Sequence, residues 1–356
     1  MAKVLHTGDI HLDSPFSLLS QNEQKTRRAS LRNLFSKIID IANEENVDIL
    51  LLSGDIFDVY PIHPETAESF MRDLNRAGMH IFICPGNHDP YTANSPYKTL
   101  SFPDKVHIFT SQKLKSVEIP ELNVRVFGAA YTSELYDERI LEGFSVPKDD
   151  FINIISLHSN LYGEGYSPVS VAEMEKTGAD YIALAHVHKP TEVLKAGKTS
   201  YAYCGCLESR DFGESYESGF YIGEVKKGFV SLERRTISDI IYRELTLNVN
   251  ECPDIVSGLP TPQKREYLRL TLTGESEPID IEKLKADLSG KYALLDIRDN
   301  TTALRDLWQG LGEDSLRGVF LRKMTEKLNS CTDEREREKL LLATKLGVNA
   351  IENRDE

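Results

Sequence analysis

The chain has 356 residues, too many for one small core and enough for a large domain with a smaller companion. Its 42 basic against 56 acidic residues leave a formal charge of −14, which excludes a protein that coats nucleic acid by bulk charge. A local phosphate site stays open, because divalent cations can offset carboxylates where it counts. Five cysteines, odd in number and scattered, exclude a disulfide scaffold and point to a reducing compartment. No apolar stretch is long enough to span a bilayer, so a cytoplasmic protein without a membrane partner is expected.

Val4 to Thr7 reads as a first strand that ends in Gly8-Asp9-Ile10-His11. If the backbone stays extended there, residues two apart point the same way, so Asp9 and His11 face one point. From Lys25 to Glu45, Leu31, Leu34, Phe35, Ile38, Ile39 and Ala42 recur at helical spacing, which predicts a one-sided helix on a sheet, with Arg27, Arg28 and Arg32 on its solvated face. Ile49 to Leu52 is a continuous apolar run too short for a helix, the pattern of a strand buried on both faces, and it closes on Gly54-Asp55-Ile56-Phe57-Asp58. Asp55 then lies at the carboxyl edge of the sheet, where open α/β sheets bind ligands. Pro64 and Gly78 bracket a second helix with Ala67, Phe70, Met71 and Leu74 as its apolar stripe. A strand from His80 to Cys84 runs into Gly86-Asn87-His88-Asp89, the third round of strand, polar cluster and helix in a layered α/β domain.

Val106 to Phe109 and Asn123 to Gly128 alternate like strands of a second, more antiparallel sheet. Phe151 to Leu157 is a further buried strand closing on His158, a short helix spans Val171 to Lys176, and Tyr181 to Ala185 leads into His186-Val187-His188. Tyr201 to Tyr203, Gly219 to Val225 and Gly228 to Arg234 read as paired strands that complete a sheet. The expected division is a first domain over 1–241, a small α/β cap over 242–310 and a charged helical segment over 311–356. The last holds an apolar stripe of Leu316, Val319, Phe320, Met324 and Leu328 and a second helix around Leu340 to Leu346.

The polar clusters at strand ends are Asp9 with His11, Asp55, Asn87-His88-Asp89, His158, and His186 with His188, which hold five of the nine histidines. Carboxylate, imidazole and amide oxygen together suit manganese, iron or zinc better than an all-oxygen calcium cage or an all-thiolate site. Each residue alone has an ordinary reading: Asp9 as a helix cap, His158 as a satisfied core histidine, Asn87 as a turn residue. As an ordered set they demand a common function. His6, His63, His80 and His107 fall in no such cluster, and Cys204-Gly205-Cys206 fits neither a zinc knuckle nor a redox pair.

In order, Gly-Asp-x-His, Gly-Asp, Gly-Asn-His-Asp, a lone His and His-x-His resemble the calcineurin-like metallophosphoesterases. The resemblance implies a four-layer α/β/β/α sandwich with two divalent metal ions, manganese first, with iron or zinc as alternatives. Asp9, His11, Asp55 and His188 would hold one ion, and Asp55, Asn87, His158 and His186 the other. A shared water, made acidic by the pair, would attack the phosphodiester in line, with His88 helping the leaving group and Asp89 fixing its tautomer. Ala185 stands where the family has glycine. Val59-Tyr60 in place of an Arg-Gly pair, and Asp89 in place of Glu, set the chain apart from the protein phosphatases. The run Gly8 to Phe16 and Gly54-Asp55-Ile56-Phe57-Asp58 resemble the DNA-repair exonuclease branch, SbcD-type and YhaO-like nuclease subunits, although relatives often carry His where Asp58 stands. That branch implies a DNA substrate, an SMC-like ATPase partner for which the C-terminal helices are candidates, and a homodimer. A phosphodiesterase for cyclic nucleotides or small phosphate esters, and a non-catalytic scaffold, are the alternatives. Tyr60, Pro61 and the loop Tyr162 to Tyr166 are candidates for stacking along a nucleic-acid groove.

Overall fold

A computed structural model of the chain describes residues 1–58, 61–161, 163–262, 264–303 and 307–351. It forms two compact units, one of Met1–Glu244 with Pro262–Arg269 and Tyr292–Leu294, the other of Leu245–Thr261 with Leu270–Lys291 and Leu295–Glu356.

The first unit opens with β1 (Ala2–Thr7), α1 (Gln21–Glu44), β2 (Ile49–Leu52), α2 (Pro64–Arg76), β3 (His80–Ile83), a short α3 (Pro96–Thr99) and β4 (Val106–Ile108). Next come β5 (Lys115–Ile119), β6 (Val124–Gly128), β7 (Ile152–His158), α4 (Val171–Thr177), β8 (Tyr181–Ala185), β9 (Leu194–Ala196) and β10 (Thr199–Tyr203). A hairpin, β11 (Gly219–Lys226) and β12 (Phe229–Thr236), completes it. One sheet has the order β12-β11-β1-β2-β3-β4, the other β5-β6-β7-β8-β10-β9.

Three apolar layers separate the elements. Leu31, Leu34, Phe35 and Ile38 of α1, with Phe70 and Leu74 of α2, pack on Leu5, Leu50, Leu52 and Ile81 of the first sheet. Val4, Ile49, Leu51 and Phe82 face Val126, Ile154, Tyr181 and Ala183 between the sheets. Ile155, Leu157, Ile182 and Leu184 pack on Met174 of α4 outside the second sheet. The result is an α/β/β/α sandwich. β2 reads as a continuous apolar run because Leu50 and Leu52 meet the helices while Ile49 and Leu51 meet the other sheet.

The structure corrects three expectations. Val106–Ile108 joins the first sheet beside β3, and the second sheet is parallel at its centre, with antiparallel pairs only at β5-β6 and β9-β10. The polar–apolar alternation of β6 misleads because Arg125 is buried too, paired with Glu118 and Asp149 and lying over the Phe151 ring. Likewise β10 belongs to the second sheet, whereas the β11–β12 hairpin pairs with β1 of the first. Arg27 is not on a solvated face: it is fully buried, paired with Glu208, donating to the Ser209 carbonyl at 2.9 Å and stacked over Phe16. Its position, four residues before Leu31, places it on the apolar stripe of α1.

The later part of the chain runs through β13 (Ile240–Asn248), a short α5 (Ile255–Gly258), β14 (Arg265–Thr273), β15 (Glu275–Ser276), α6 (Ile281–Asp287), β16 (Leu294–Asp299), β17 (Thr302–Ala303), α7 (Leu316–Ser330) and α8 (Glu334–Ile351), of which α5, β15, α6, β17, α7 and α8 lie wholly in the second unit. β13, β14 and β16 form one sheet, and β15 pairs with β17. Within the second unit Leu270, Leu272, Leu284 and Leu288 are buried. In α7 the buried face is Leu321, Met324 and Leu328, so Leu316 and Val319, expected on the stripe, are exposed. Among the described residues no helix is long and apolar enough to cross a membrane.

Candidate metal centre

The parallel strands β1, β2, β3, β7 and β8 bring their carboxyl ends together, and the loops beyond them carry the polar clusters. Asp9, His11, Asp55 and His186 have φ of 46°, 49°, 49° and 96°, backbone that non-glycine residues rarely adopt. Asp9 and His11 therefore converge through left-handed turns, not through the extended alternation expected. The strain, on the order of 1–3 kcal/mol for each residue, is held by pairing between loops. Asp9 N–H donates to the Gly54 carbonyl at 3.0 Å, His11 N–H to that of Asp55 at 3.0 Å and Leu12 N–H to that of Ile56 at 2.7 Å. Gly54 has φ of 117°, and a Cβ there would lie 2.4 Å from His158 Nδ1; at Gly86 it would lie 2.1 Å from Asp55 Oδ1. Both glycines are required for the ligand side chains to close in.

Two donor groups share Asp55. In the first, His11 Nε2 and His188 Nε2 lie 3.2 Å apart, with His11 Nε2 3.8 Å from Asp55 Oδ2 and His188 Nε2 3.8 Å from Asp9 Oδ1. In the second, His158 Nε2 lies 3.2 Å from Asp55 Oδ2 and 2.9 Å from Asn87 Oδ1, and His186 Nδ1 lies 3.2 Å from that amide oxygen and 3.3 Å from His158 Nε2. All seven side chains expected from the sequence are brought together.

Outside them the two groups are supported differently. His11 Nδ1 meets Asp58 Oδ1 at 2.8 Å, and His188 Nδ1 meets Glu214 Oε1 at 2.6 Å. Asp58 Oδ1 also lies 3.0 Å from His88 Nδ1, and its Oδ2 accepts from Ser14 Oγ at 2.9 Å. Arg210 sits between the two carboxylates, with Nη1 3.6 Å from Asp58 Oδ1 and Nη2 2.9 Å from Glu214 Oε1. Burial works against charge on Asp58, yet the His11 and His88 hydrogen bonds and the Arg210 charge hold it well below the usual carboxylate range. At Glu214 burial is likewise outweighed by the His188 bond and Arg210, which bring it to about 2. In the second group, His158 Nδ1 lies 3.3 Å from the Ser53 carbonyl and 3.9 Å from Asp9 Oδ1, while Tyr131 lies edge-on to the His158 ring and the tilted Tyr166 ring lies 4.8 Å from that of His186. Burial opposes a proton on His158, but Asp55, through charge and hydrogen bond, and Asp9 raise it to about 9.

Asp89 does not partner His88. Its carboxylate accepts from the N–H groups of Ile56, Phe57 and Gly86 at 2.7, 3.1 and 2.7 Å and from the Tyr97 hydroxyl, which pins the Asp55 loop to the Asn87 loop. Asp58 partners His88 instead. The Asp58 hydrogen bond raises the His88 pKa against the pull of burial, and the ring stays 46% exposed.

The donor set fits a pair of divalent cations. Ring nitrogens crowd one another and three oxygen-bearing side chains, and a cation at each focus would turn these close approaches into ligation. The family model for calcineurin-like phosphoesterases matches residues 2–190. The chain belongs to that family. Its members hydrolyse phosphoester bonds with divalent metal ions, so this chain is a hydrolase of that class. It is 28% identical over 267 residues to the Bacillus subtilis metallophosphoesterase YhaO, covering 71% of this chain and 64% of that one. The DNA double-strand break repair protein Mre11 of Saccharolobus solfataricus is 24% identical over 77% of this chain and 76% of its own length. SbcD, a component of the Bacillus subtilis nuclease SbcCD, is 24% identical over 64% of this chain and 67% of its own.

Glu214, Arg210 and Tyr131 were not among the residues marked by sequence. Arg210 and Glu214 lie in the loop after β10, a strand parallel to β8 whose carboxyl end the paired-strand pattern of Tyr201 to Tyr203 does not reveal. Of the stacking candidates, Tyr60 and Tyr162 lie outside the described residues, Pro61 is exposed and Tyr166 packs on a ligand histidine. His6 is buried against the Tyr181 hydroxyl, His80 and His107 stack on each other, and His63 precedes α2; none belongs to the centre.

Proposed function

We propose that this chain is a metal-dependent nuclease that hydrolyses DNA phosphodiester bonds. The observation that carries the reading is the pair of donor groups sharing Asp55, with His88, backed by Asp58, beside the first. Asp9, His11, Asp55 and His188 would hold one cation, and Asp55, Asn87, His158 and His186 the other. Manganese is the ion that best suits this mixture of nitrogen and oxygen donors, with iron or zinc as alternatives. Bound there, the pair supplies Lewis acidity and an acidified water at the phosphorus. Asp58 holds the His88 ring by Nδ1 and leaves Nε2 for the substrate, so His88 can give a proton to the leaving oxygen. The strained loops after β1 and β2 fix the distance between the ligands before substrate arrives.

Two relatives, Mre11 as a DNA double-strand break repair protein and SbcCD as a nuclease, support DNA as substrate, and an SMC-like ATPase as partner follows by the same analogy. We assign catalysis to residues 1–241, a capping role to 242–310 and partner contact to the helices of 311–356; a homodimer and a cytoplasmic site of action complete the proposal. Five free cysteines, three of them buried, suit a reducing compartment. The charge of −14 favours a competing reading, hydrolysis of small phosphodiesters. With manganese, the purified chain should digest duplex or single-stranded DNA in preference to cyclic nucleotides and mononucleotide esters. The reverse preference sinks the DNA reading, and inactivity on all of them, with metal bound, sinks the enzyme.

A further inference from the structure

We propose that Arg210 is a positioning residue for the first half of the metal centre: one guanidinium holds the two carboxylates that aim His11, His88 and His188. The inference rests on the two-metal reading above. Arg210 touches the centre through its supports. Nη1 lies 3.2 Å from Ser14 Oγ and 3.6 Å from Asp58 Oδ1, and Nη2 lies 2.9 Å from Glu214 Oε1 and 3.3 Å from His188 Nδ1. Its backbone N–H binds the other Glu214 oxygen at 2.7 Å, and Ser14, its remaining partner, itself donates to Asp58. The side chain is 16% exposed, so these contacts form where water screens them little.

The geometry explains why an arginine is needed. Both first-half histidines direct Nδ1 at a carboxylate, His11 at Asp58 and His188 at Glu214, and so turn Nε2 inward, where the two nitrogens meet at 3.2 Å. Carboxylates behind ligand histidines fix the tautomer and raise basicity. Two such anions beside Asp9 and Asp55 would repel one another, and each needs a second anchor to keep its direction. The planar fork of a guanidinium serves both at once, whereas a lysine ammonium is a point charge on a flexible stem. Asp58 follows β2 and Glu214 ends the turn Phe212–Glu214, so Arg210 also ties the loop after β2 to the connection between β10 and β11. The second half, which lies on Asn87, His158 and His186, takes no contact from it among the described residues.

The test is a manganese titration of the full-length protein by calorimetry, with steady-state kinetics on the same preparations. Wild type should take up two ions. Arg210→Lys, Arg210→Ala and Glu214→Gln should weaken one step by about 10–100-fold, the effect of losing an outer support, and leave the other step unchanged. In all three kcat should fall while KM holds, with Lys recovering only part of the loss. Two unaltered metal steps in folded variants would overturn the proposal and leave the two-metal reading standing, as would a rise in KM alone, which would make Arg210 a substrate contact. Failure of wild type to bind two ions would instead defeat the reading on which the proposal rests. If the alanine variant does not fold, the lysine and glutamine variants decide.

Discussion

The two halves of the candidate metal centre have similar proposed ligands and opposite surroundings. Behind Asp9, His11 and His188 stands a charged layer of Asp58, Glu214 and Arg210, each joined to the next. Behind Asn87, His158 and His186 stand a backbone carbonyl and two tyrosine rings. One half is aimed by electrostatics, the other by packing and strand geometry, since His158 is the last residue of β7 and His186 follows β8 directly. The difference fits a division of work in the proposed reaction: the charged half also carries His88, which would deliver a proton, while the packed half would need only to stay fixed.

Asp55 is where the comparison should vanish. Its carboxylate reaches both halves, 3.8 Å from His11 Nε2 and 3.2 Å from His158 Nε2, so Asp55→Asn should lower manganese content at both steps. Activity should fall by more than the ~10²–10⁴-fold attributable to a general acid. Retention of one full-affinity ion in this variant would show that the halves are independent.

Next in size, His88→Ala should reduce kcat by ~10²–10⁴-fold with both metal steps intact, because in the proposed reaction His88 would lend its ring to the leaving group and gives Asp55 only its backbone N–H. Asp58→Asn should do both things on a smaller scale, weakening one metal step by about 10–100-fold through His11 and lowering kcat through His88. A loss confined to kcat would assign Asp58 to His88 alone.

How far these residues could be seen in the sequence depends on what kind of order placed them. The seven proposed ligands could be grouped from the sequence because each lies within a few residues of a strand end, and parallel strands align those ends without further information. The continuous run Ile49 to Leu52 announced a strand buried on both faces. What stayed hidden was pairing across long sequence distances. Asp58 lies 47 residues from His11, Glu214 lies 26 from His188, and no local pattern links them. Asp89 stands next to His88 in the chain, which suggests that it fixes the His88 tautomer, but successive residues after a strand face different ways. Asp89 turns inward to three backbone N–H groups and Tyr97. Arg27 misled for the same reason as Arg125: a charged residue on an apolar face looks solvated until its partner, here Glu208, arrives from far along the chain.

The pH dependence sharpens the contrast from the packed side. His158 has a raised pKa, about 9 against the ordinary 6.5, in the metal-free protein. A raised value means that the folded state holds the proton more tightly, so this group stabilises the metal-free fold below about pH 6.5 and the contribution is gone once pH passes 9. Metal must displace the same proton. Manganese affinity of one step should therefore climb as pH rises from 6.5 to 9, while the melting temperature of the metal-free protein declines over that window. Calorimetry at several pH values, with release of about one proton on binding, checks both signs. His158→Gln should flatten the profile, and an unchanged slope in that variant would place the proton elsewhere.

The smallest effect concerns Tyr131, which is 3% exposed and whose hydroxyl, beside His158, is buried without a hydrogen-bond partner among the described residues. An unsatisfied buried hydroxyl costs the fold about 1–3 kcal/mol, so a phenylalanine, which keeps the ring edge against His158 and removes the oxygen, should be neutral or raise stability by up to about that amount. If the packed half needs only the ring, Tyr131→Phe leaves kcat and both manganese steps as they were. Tyr131→Ala, which opens a cavity next to a ligand, weakens one step and costs about 3–5 kcal/mol by analogy with other large aromatic truncations. A stable Tyr131→Phe protein with lowered kcat would break the comparison, because the hydroxyl would then act as a donor in the reacting complex, and the packed half would carry chemistry as well as shape.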